Sequence, residues 1–328
     1  MRRLVLITDR ISNPNIETEI LGDEFECVYL PELPEPEQEA AISDAYAVLV
    51  WHSRIDKEII ENLKSCKVVI RYGAGIDNLN IDLLKERGIA VGNCPDYGIE
   101  EVADTAAAMI LHGMRQLGEF SSVDLDQEQV WGRESRRTLK RSNKHSLGIV
   151  GLGRIGTALA LRMKEFGLNI GFFDPFAIRG VEKSLKITRF ETLEELLHHS
   201  SIVSLHCPLT EKTRGMVDED FVSNLQKNTL LVNTARGGLM SSLQVLEEGL
   251  KSGNIGFLAM DVLPEEPPIR DTDILRKWRS VGSGLEGRVL ITPHTAYYSE
   301  DSLKEIRVKA AKSILNVSLG QDPLYRIV

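Results

Sequence analysis

Three apolar, β-rich runs in the second half of the chain are each followed by side chains of complementary chemistry. Arg236 comes after Thr229–Val232, Asp261 and Glu266 after Gly256–Met260, and His294 after Val289–Thr292. A guanidinium presents a planar fork that can grip carboxylate and carbonyl oxygens together. A protonated imidazole can give its proton to an oxygen that is becoming an alkoxide, help worth roughly 10²–10⁴-fold in rate. A carboxylate beside that imidazole orients it and favours its charged form. Together the three could reduce a 2-oxo acid, provided that a hydride donor lies next to them. Taken singly, each also has an ordinary reading: a surface ion pair for Arg236, a solvated acidic turn for Glu265-Glu266, a hydrogen-bonded loop histidine for His294.

The scaffold that would bring them together is a parallel sheet, because ligands bind outside the carboxyl ends of its strands. The sequence supplies the pattern. Leu4–Thr8, Ala47–Trp51, Lys67–Arg71 and Ile89–Asn93 read as strands in the first half, with helices over Asp56–Lys64 and Ile81–Arg87. Ser146–Val150, Asn169–Phe173, Ile202–His206, Thr229–Val232, Gly256–Met260 and Val289–Thr292 read as strands in the second, with helices over Ile155–Phe166, Leu193–His198 and Leu243–Lys251. Strands alternating with helices through short loops argue for parallel sheets covered on both faces. Several of these strands are continuous apolar runs, as double-sided burial requires. Between the halves, Glu101–Leu117 reads as a helix apolar almost all round, expected to be buried between domains or at a subunit interface. Gly118–Lys144 is polar and irregular, a length that suits an arm packing on a partner subunit.

A hydride donor has its own signature. Gly151, Gly153 and Gly156 form G-x-G-x-x-G directly after an apolar strand and at the opening of a helix. The first glycine permits the tight turn, the second lets backbone approach a pyrophosphate, and the third lets helix and strand pack closely. The helix N-terminus then offers free N–H groups to the phosphates. Asp174, at the end of the following strand, is placed to accept from the adenosine ribose hydroxyls and to repel an extra phosphate, which favours NAD over NADP. The competing account, a plain glycine-rich turn with an unrelated acid, needs strand, glycines, helix, strand and acid to fall in register by chance.

Composition bounds the remainder. The chain has 328 residues, enough for about two domains. It carries 48 acidic against 39 basic residues, a formal charge of −9, which argues against a nucleic-acid binder working through a basic face. There is no apolar run of membrane-spanning length. Met1–Arg10 turns polar too soon for a signal peptide and reads as a first strand. Cys27, Cys66, Cys94 and Cys207 have no framework spacing, so reduced thiols in a cytoplasmic protein are expected.

These motifs resemble the D-isomer-specific 2-hydroxyacid dehydrogenase family over nearly the whole chain. The resemblance rests on Gly151–Gly156 with Asp174, His206–Thr210, Asn233–Gly238, Asp261–Pro267 and Thr292–Ala296, and in the first half on Arg71–Asn78 and Asn93–Thr105. It implies two doubly wound α/β domains, an NAD-binding Rossmann domain (99–294) inserted into a flavodoxin-like substrate domain (1–98 and 295–328). It implies catalysis by Arg236, Glu266 and His294. The substrate would be held by Arg71, Tyr72, Gly73, Ala74 and Gly75, with backbone N–H groups of Gly73 to Gly75 on its carboxylate, and by Tyr297. The cofactor NAD would meet Gly151, Gly153, Arg154, Ile155 and Gly156 at the pyrophosphate and Asp174 at the ribose. His206 and Cys207 stand at a strand end by the cofactor cleft, Pro208 and Thr213 near the adenosine half, and Thr234 and Asp261 near the nicotinamide. Ala235, Arg236 and His294 complete the cofactor set. The family is usually dimeric.

Within the family the chain looks most like the branch of the C-terminal-binding proteins, through Gly180–Lys183, Leu196–Ser200, His294–Glu300 and Arg71. It departs from that branch in Tyr297, where a Trp is usual, in Cys207–Thr210, and in stopping at Val328 without the long tail of the animal corepressors. The leading expectation is an NAD-dependent enzyme moving a hydride between NAD(H) and a small D-2-hydroxy acid or 2-oxo acid. The rival is an NAD(H)-sensing, corepressor-like binding protein, and a third reading oxidises an inorganic or one-carbon acid. No metal site is expected: His198 and His199 are neighbours that face different ways and suit a helix C-terminus. Cys94 reads as buried and inert. The basic stretch Arg133–Lys144 reads as a solvated face, with no aromatic residue to stack on bases.

Overall fold

A computed structural model describes residues 2–121, 131, 139–268, 273–280, 282–285 and 287–328. In chain order the elements are β1 (Arg3–Ile7), α1 (Asn15–Leu21), β2 (Phe25–Tyr29), α2 (Glu35–Asp44), β3 (Ala47–Val50), α3 (Lys57–Asn62), β4 (Val68–Arg71), α4 (Ile81–Glu86) and β5 (Ala90–Gly92). Then come α5 (Ile99–Arg115), α6 (Leu117–Ser121), β6 (Ser146–Val150), α7 (Arg154–Glu165), β7 (Asn169–Phe173), α8 (Val181–Leu185), β8 (Thr188–Arg189) and α9 (Leu193–His199). The chain continues through β9 (Ile202–Leu205), α10 (Glu219–Ser223), β10 (Thr229–Asn233), α11 (Leu243–Ser252), β11 (Ile255–Met260), α12 (Asp273–Lys277), β12 (Val289–Ile291) and α13 (Glu300–Ser318).

The elements form two compact units, one discontinuous (Met1–Gly98 with Tyr298–Val328) and one continuous (Ile99–Tyr297). The second crossing thus falls three residues beyond the expected one, which leaves Tyr297 in the unit that carries His294.

The discontinuous unit has a parallel sheet in the order β2-β1-β3-β4-β5, the flavodoxin-like order. Its strands are short apolar runs, with Ala47–Val50 wholly buried. Leu6, Val48, Val50 and Val69 pack with Ile60 and Leu84 from α3 and α4. Residues 325–328 run antiparallel along β5: Gly92 pairs with Arg326, Ile327 N–H donates to Val91 O (2.7 Å) and Val91 N–H to Val328 O (3.2 Å). This strand closes an edge that would otherwise expose unpaired backbone groups.

The continuous unit has seven parallel strands in the order β12-β11-β10-β9-β6-β7-β8. Counted within the unit, this is the Rossmann order 3-2-1-4-5-6 with a seventh strand outside it. Alternate residues of each central strand enter opposite cores. Leu231, Leu258 and Met260 face one, and Leu230, Val232, Phe257 and Ala259 the other. That alternation is why the runs read as continuously apolar.

The long helix differs from its expected bounds and is not apolar all round. It spans Ile99–Arg115 and is amphipathic: Ala103, Ala106, Ile110 and Gly113 are buried within its own unit, while Asp104, Ala108 and Arg115 are exposed. Gly113 sits against the Phe257 ring, where a methyl group would collide. Short β2 and β8, and helices α1, α2 and α13, were not legible as separate elements. Within the expected irregular arm, Leu117–Ser121 is helical. Arg133, Arg136 and Arg137 of the basic stretch lie outside the described residues. No described helix is long and apolar enough to cross a membrane.

Candidate active site

In the continuous unit the site grows from the carboxyl ends of β6, β7, β9, β10, β11 and β12. The three glycines after β6 differ in what surrounds them. Gly151 has φ 95°, and a Cβ there would lie 2.7 Å from Cys207 N. Gly156 abuts the Gly151 carbonyl. A Cβ on Gly153 would meet no atom within 4 Å. The first and third glycines are therefore demanded by the protein's own backbone, and the second leaves room for a ligand. Gly153 also opens α7 without a side-chain cap, so its first N–H groups face outward as an anion site requires. Ile155 is half-buried and Arg154 exposed.

Asp174 ends β7 and braces the same turn. Its Oδ2 accepts from Leu152 N–H (2.8 Å) and its Oδ1 from Phe176 N–H (2.8 Å). A carboxylate has about four lone-pair positions, so capacity remains for ribose hydroxyls. At the end of β9, His206 Nε2 lies 2.8 Å from Ser204 Oγ. Burial pushes its pKa down to about 4, so the ring is neutral at physiological pH. Burial pushes the neighbouring Cys207 thiol up to about 11. Thr213 Oγ1 donates to Pro208 O (2.6 Å) and accepts from Thr210 N–H (2.8 Å), which fixes that loop.

Arg236 follows β10 on a turn held by Asn233, a fully buried residue with no assigned role in the sequence reading. Asn233 Oδ1 accepts from Ala235 N–H (2.9 Å) and Nδ2 donates to Arg236 O (2.9 Å). The guanidinium donates to Ala235 O (2.8 Å). Gly237 lies against the Leu263 carbonyl so closely that only glycine fits. Leu263 N–H in turn donates to Glu266 Oε1 (2.8 Å), and Glu266 Oε2 lies 2.7 Å from His294 Nδ1. Burial raises the Glu266 carboxyl, but the His294 hydrogen bond and charge, Leu263 N–H and Arg236 outweigh it and hold the group below the usual carboxylate range. With Nδ1 bonded to Glu266, Nε2 is the ring nitrogen through which His294 could exchange a proton with a substrate.

His294 itself has φ 55°, a backbone region that residues other than glycine rarely adopt. The strain is contained by Asp261, which is buried at the end of β11. Its backbone O accepts from His294 N–H (2.7 Å), its Oδ1 from Thr292 Oγ1 (2.6 Å) and Thr295 N–H (2.9 Å), and its Oδ2 from Ala296 N–H (2.8 Å). Burial pushes the Asp261 carboxyl above its usual range despite those bonds. The Tyr297 ring meets the His294 ring edge-on at 6.2 Å. Thr234 Oγ1 is buried with no hydrogen-bond partner among the described residues. That orphan donor, the open space at Gly153 and the uncapped helix fit a dinucleotide lying across the turn.

The discontinuous unit carries the other expected contacts. At the end of β4 the Arg71 guanidinium occupies the space that a side chain on Gly73 would need, so it lies on the Gly73–Gly75 turn. Tyr72 requires a correction: its side chain is fully buried, stacks on Trp51 at 5.5 Å and donates to Glu17 Oε1 (2.8 Å). Strand alternation sends it into the core, and only its backbone belongs to the turn. Elsewhere, Cys94 is buried with its thiol pushed up to about 12, His199 stacks on Phe190 and His198 O accepts from Gln226.

Residues 107–296 match the sequence model of the D-isomer specific 2-hydroxyacid dehydrogenase, NAD binding domain. The chain is 35% identical over 292 residues to C-terminal-binding protein 1 of Caenorhabditis elegans, covering 87% of this chain and 39% of that protein. It is 31% identical over 318 residues to D-3-phosphoglycerate dehydrogenase of Methanocaldococcus jannaschii, covering 97% of this chain and 58% of that one. It spans about half the length of these curated relatives. Among solved structures it is similar to D-lactate dehydrogenase of Aquifex aeolicus complexed with NAD and lactic acid, with TM-score 0.83 and 26% identity over 99% of both chains. With the match running through the glycine turn, the Arg236 turn and most of the His294 turn, the protein belongs to the D-isomer-specific 2-hydroxyacid dehydrogenase family and its continuous unit is that family's NAD-binding domain.

Proposed function

We propose that the protein is an NAD-dependent oxidoreductase interconverting a small 2-oxo acid and its D-2-hydroxy acid. The observation that carries this reading is the linked set Arg236, Glu266 and His294, in which an imidazole is bonded to a carboxylate at 2.7 Å on one backbone frame with the guanidinium. NADH, when bound, supplies the hydride to the ketone carbon. His294 Nε2 donates a proton to the carbonyl oxygen as that oxygen gains charge, and takes it back in the oxidation direction. Glu266 stabilises the imidazolium and fixes the ring. Arg236 donates to the same oxygen or the adjoining carboxylate, a charged hydrogen bond contributing about 1.5–3 kcal/mol. Arg71 and the N–H groups of Gly73 to Gly75 hold the substrate carboxylate, and Tyr297 borders the reacting group. Gly151–Gly156, Asp174, His206–Pro208, Thr213, Thr234, Ala235 and Asp261 line the cofactor.

A screen of 2-oxo acids with NADH, graded by side-chain bulk and charge, tests the activity. His294→Ala tests the roles: near wild-type kcat at every pH would remove His294 as the acid-base group. The likeness to C-terminal-binding protein 1 supports a second reading, an NADH-dependent peptide-binding protein with little turnover. Peptide capture with and without NADH separates the two. The reading also places the enzyme in the cytoplasm, in keeping with four unpaired thiols, and as a homodimer after the family habit. Light scattering of the purified protein checks the dimer.

A further inference from the structure

We infer that Asn93 is a positioning residue that aims the carboxylate-binding amides of the Gly73–Gly75 turn and so sets affinity for the acid substrate; this rests on the oxidoreductase reading above. β5 ends at Gly92, and the next two residues reach across to the turn after β4. Asn93 is only 7% exposed, and its Nδ2 donates to Ala74 O (2.7 Å). Cys94 N–H donates to Gly73 O (3.0 Å). In a planar trans peptide the C=O and the following N–H point in opposite directions. Drawing the Gly73 and Ala74 carbonyls toward residues 93 and 94 therefore turns the Ala74 and Gly75 N–H groups the other way. Among the described residues those two N–H groups donate to nothing. Successive outward amides of this kind form an anion-binding concavity, and the Arg71 guanidinium lies on the same turn.

The choice of side chain follows from that geometry. An amide donates to a carbonyl without adding charge, whereas a carboxylate of the same shape only accepts. A carboxylate at 93 would repel Ala74 O and set a negative charge beneath an anion site. The backbone of Asn93 is itself held from behind, because its N–H donates to Tyr325 O (3.2 Å) on the antiparallel C-terminal strand. The turn is thus supported by two layers, Asn93 and the strand beyond it.

The test compares the NADH-bound wild type with Asn93→Asp and Asn93→Ala, using glyoxylate and pyruvate as substrates and oxamate as a non-reacting carboxylate. In Asn93→Asp, the KM for the oxo acid and the Kd for oxamate rise about ten-fold or more at neutral pH, while the Kd for NADH stays within about two-fold. Lowering the pH from about 8 toward about 5 narrows the oxamate deficit of Asn93→Asp only, because burial beside a carbonyl oxygen raises that carboxyl above the ordinary Asp range and its protonated form regains a donor. Asn93→Ala shows the deficit without that pH dependence. Unchanged KM and oxamate affinity in both variants would overturn the inference, as would NADH affinity lost in step with oxamate affinity. If the wild type reduces no 2-oxo acid, the oxidoreductase reading fails, and calorimetric oxamate affinity alone decides the role of Asn93.

Discussion

Replacing Gly151 and Gly153 by alanine should move stability and cofactor affinity in separable ways. At Gly151 the φ of 95° and a Cβ placed 2.7 Å from Cys207 N and 2.9 Å from the His206 carbonyl carbon leave the methyl group no room, because both neighbours are backbone. Strain of this kind costs about 1–3 kcal/mol, and the clash adds to it. For a unit of this size a loss of about 2–3 kcal/mol lowers the melting temperature by about 4–12 °C. Gly153 has φ −77° and open space where the methyl group would go. Gly→Ala at a compatible conformation stabilises by about 0.4–1 kcal/mol through the unfolded chain, and alanine in place of glycine at a helix N-cap loses about as much. The unliganded Gly153→Ala protein should therefore melt within about 2 °C of wild type. The same methyl group stands where the pyrophosphate must approach, so NADH affinity should fall at least about ten-fold, removing about 1.4 kcal/mol of ligand-induced stabilisation at saturating cofactor. Scanning calorimetry with and without NADH reads both quantities. Unliganded Gly153→Ala destabilised as much as Gly151→Ala, or an unchanged NADH-induced shift, would refute the assignment of separate jobs to the two glycines.

Three further outcomes are expected. Glu266→Gln keeps the Leu263 bond but removes the anion that holds the imidazolium, so kcat for oxo-acid reduction should fall about 10–100-fold with little change in the Kd for NADH; stopped-flow hydride transfer checks it. Tyr72→Phe deletes the donor to buried Glu17, so stability should drop by about 1 kcal/mol while KM for the oxo acid stays constant; a raised KM would return that side chain to the substrate. His206 is held near 4 by burial, below the ordinary histidine range. The stability it contributes is fully present above about pH 6.5 and is lost as pH falls toward its folded value, so His206→Asn should flatten part of the acid limb of the melting curve.

The parts of this protein that could be read from its sequence are those where one physical demand leaves one solution. The glycine turn is such a case, since Gly151 and Gly156 press on backbone and Gly153 borders open space. The central strands are another, because burial on two faces permits only unbroken apolar runs. Where several solutions exist, the reading failed. Ala106-Ala107-Ala108 looked apolar on every side, yet alanine is small enough to sit at an exposed position, and Ala108 does. None of the residues of α2 is buried, so it carries no apolar stripe to announce it. Tyr72 adjoins the substrate turn in sequence but belongs to the opposite face of its strand. Asn233 and Asn93 stand inside conspicuous motifs, but their side chains act on the carbonyls of Arg236 and Ala74, and a contact to backbone leaves no mark on the partner's identity.

The discontinuous unit is assembled from stretches at both ends of the chain, with α13 packed on α1 and β4. On the ribosome the sheet of β1 to β5 emerges first, but its covering helix and its sixth, antiparallel strand emerge only after the whole continuous unit has been made. The earlier-made half must wait with an open edge and an uncovered face, a state prone to self-association. The intervening unit, closed on its own contiguous residues, can complete its sheet without that delay. Maturation of the Gly73–Gly75 turn, supported by that antiparallel strand through Asn93, thereby follows synthesis of the whole intervening unit.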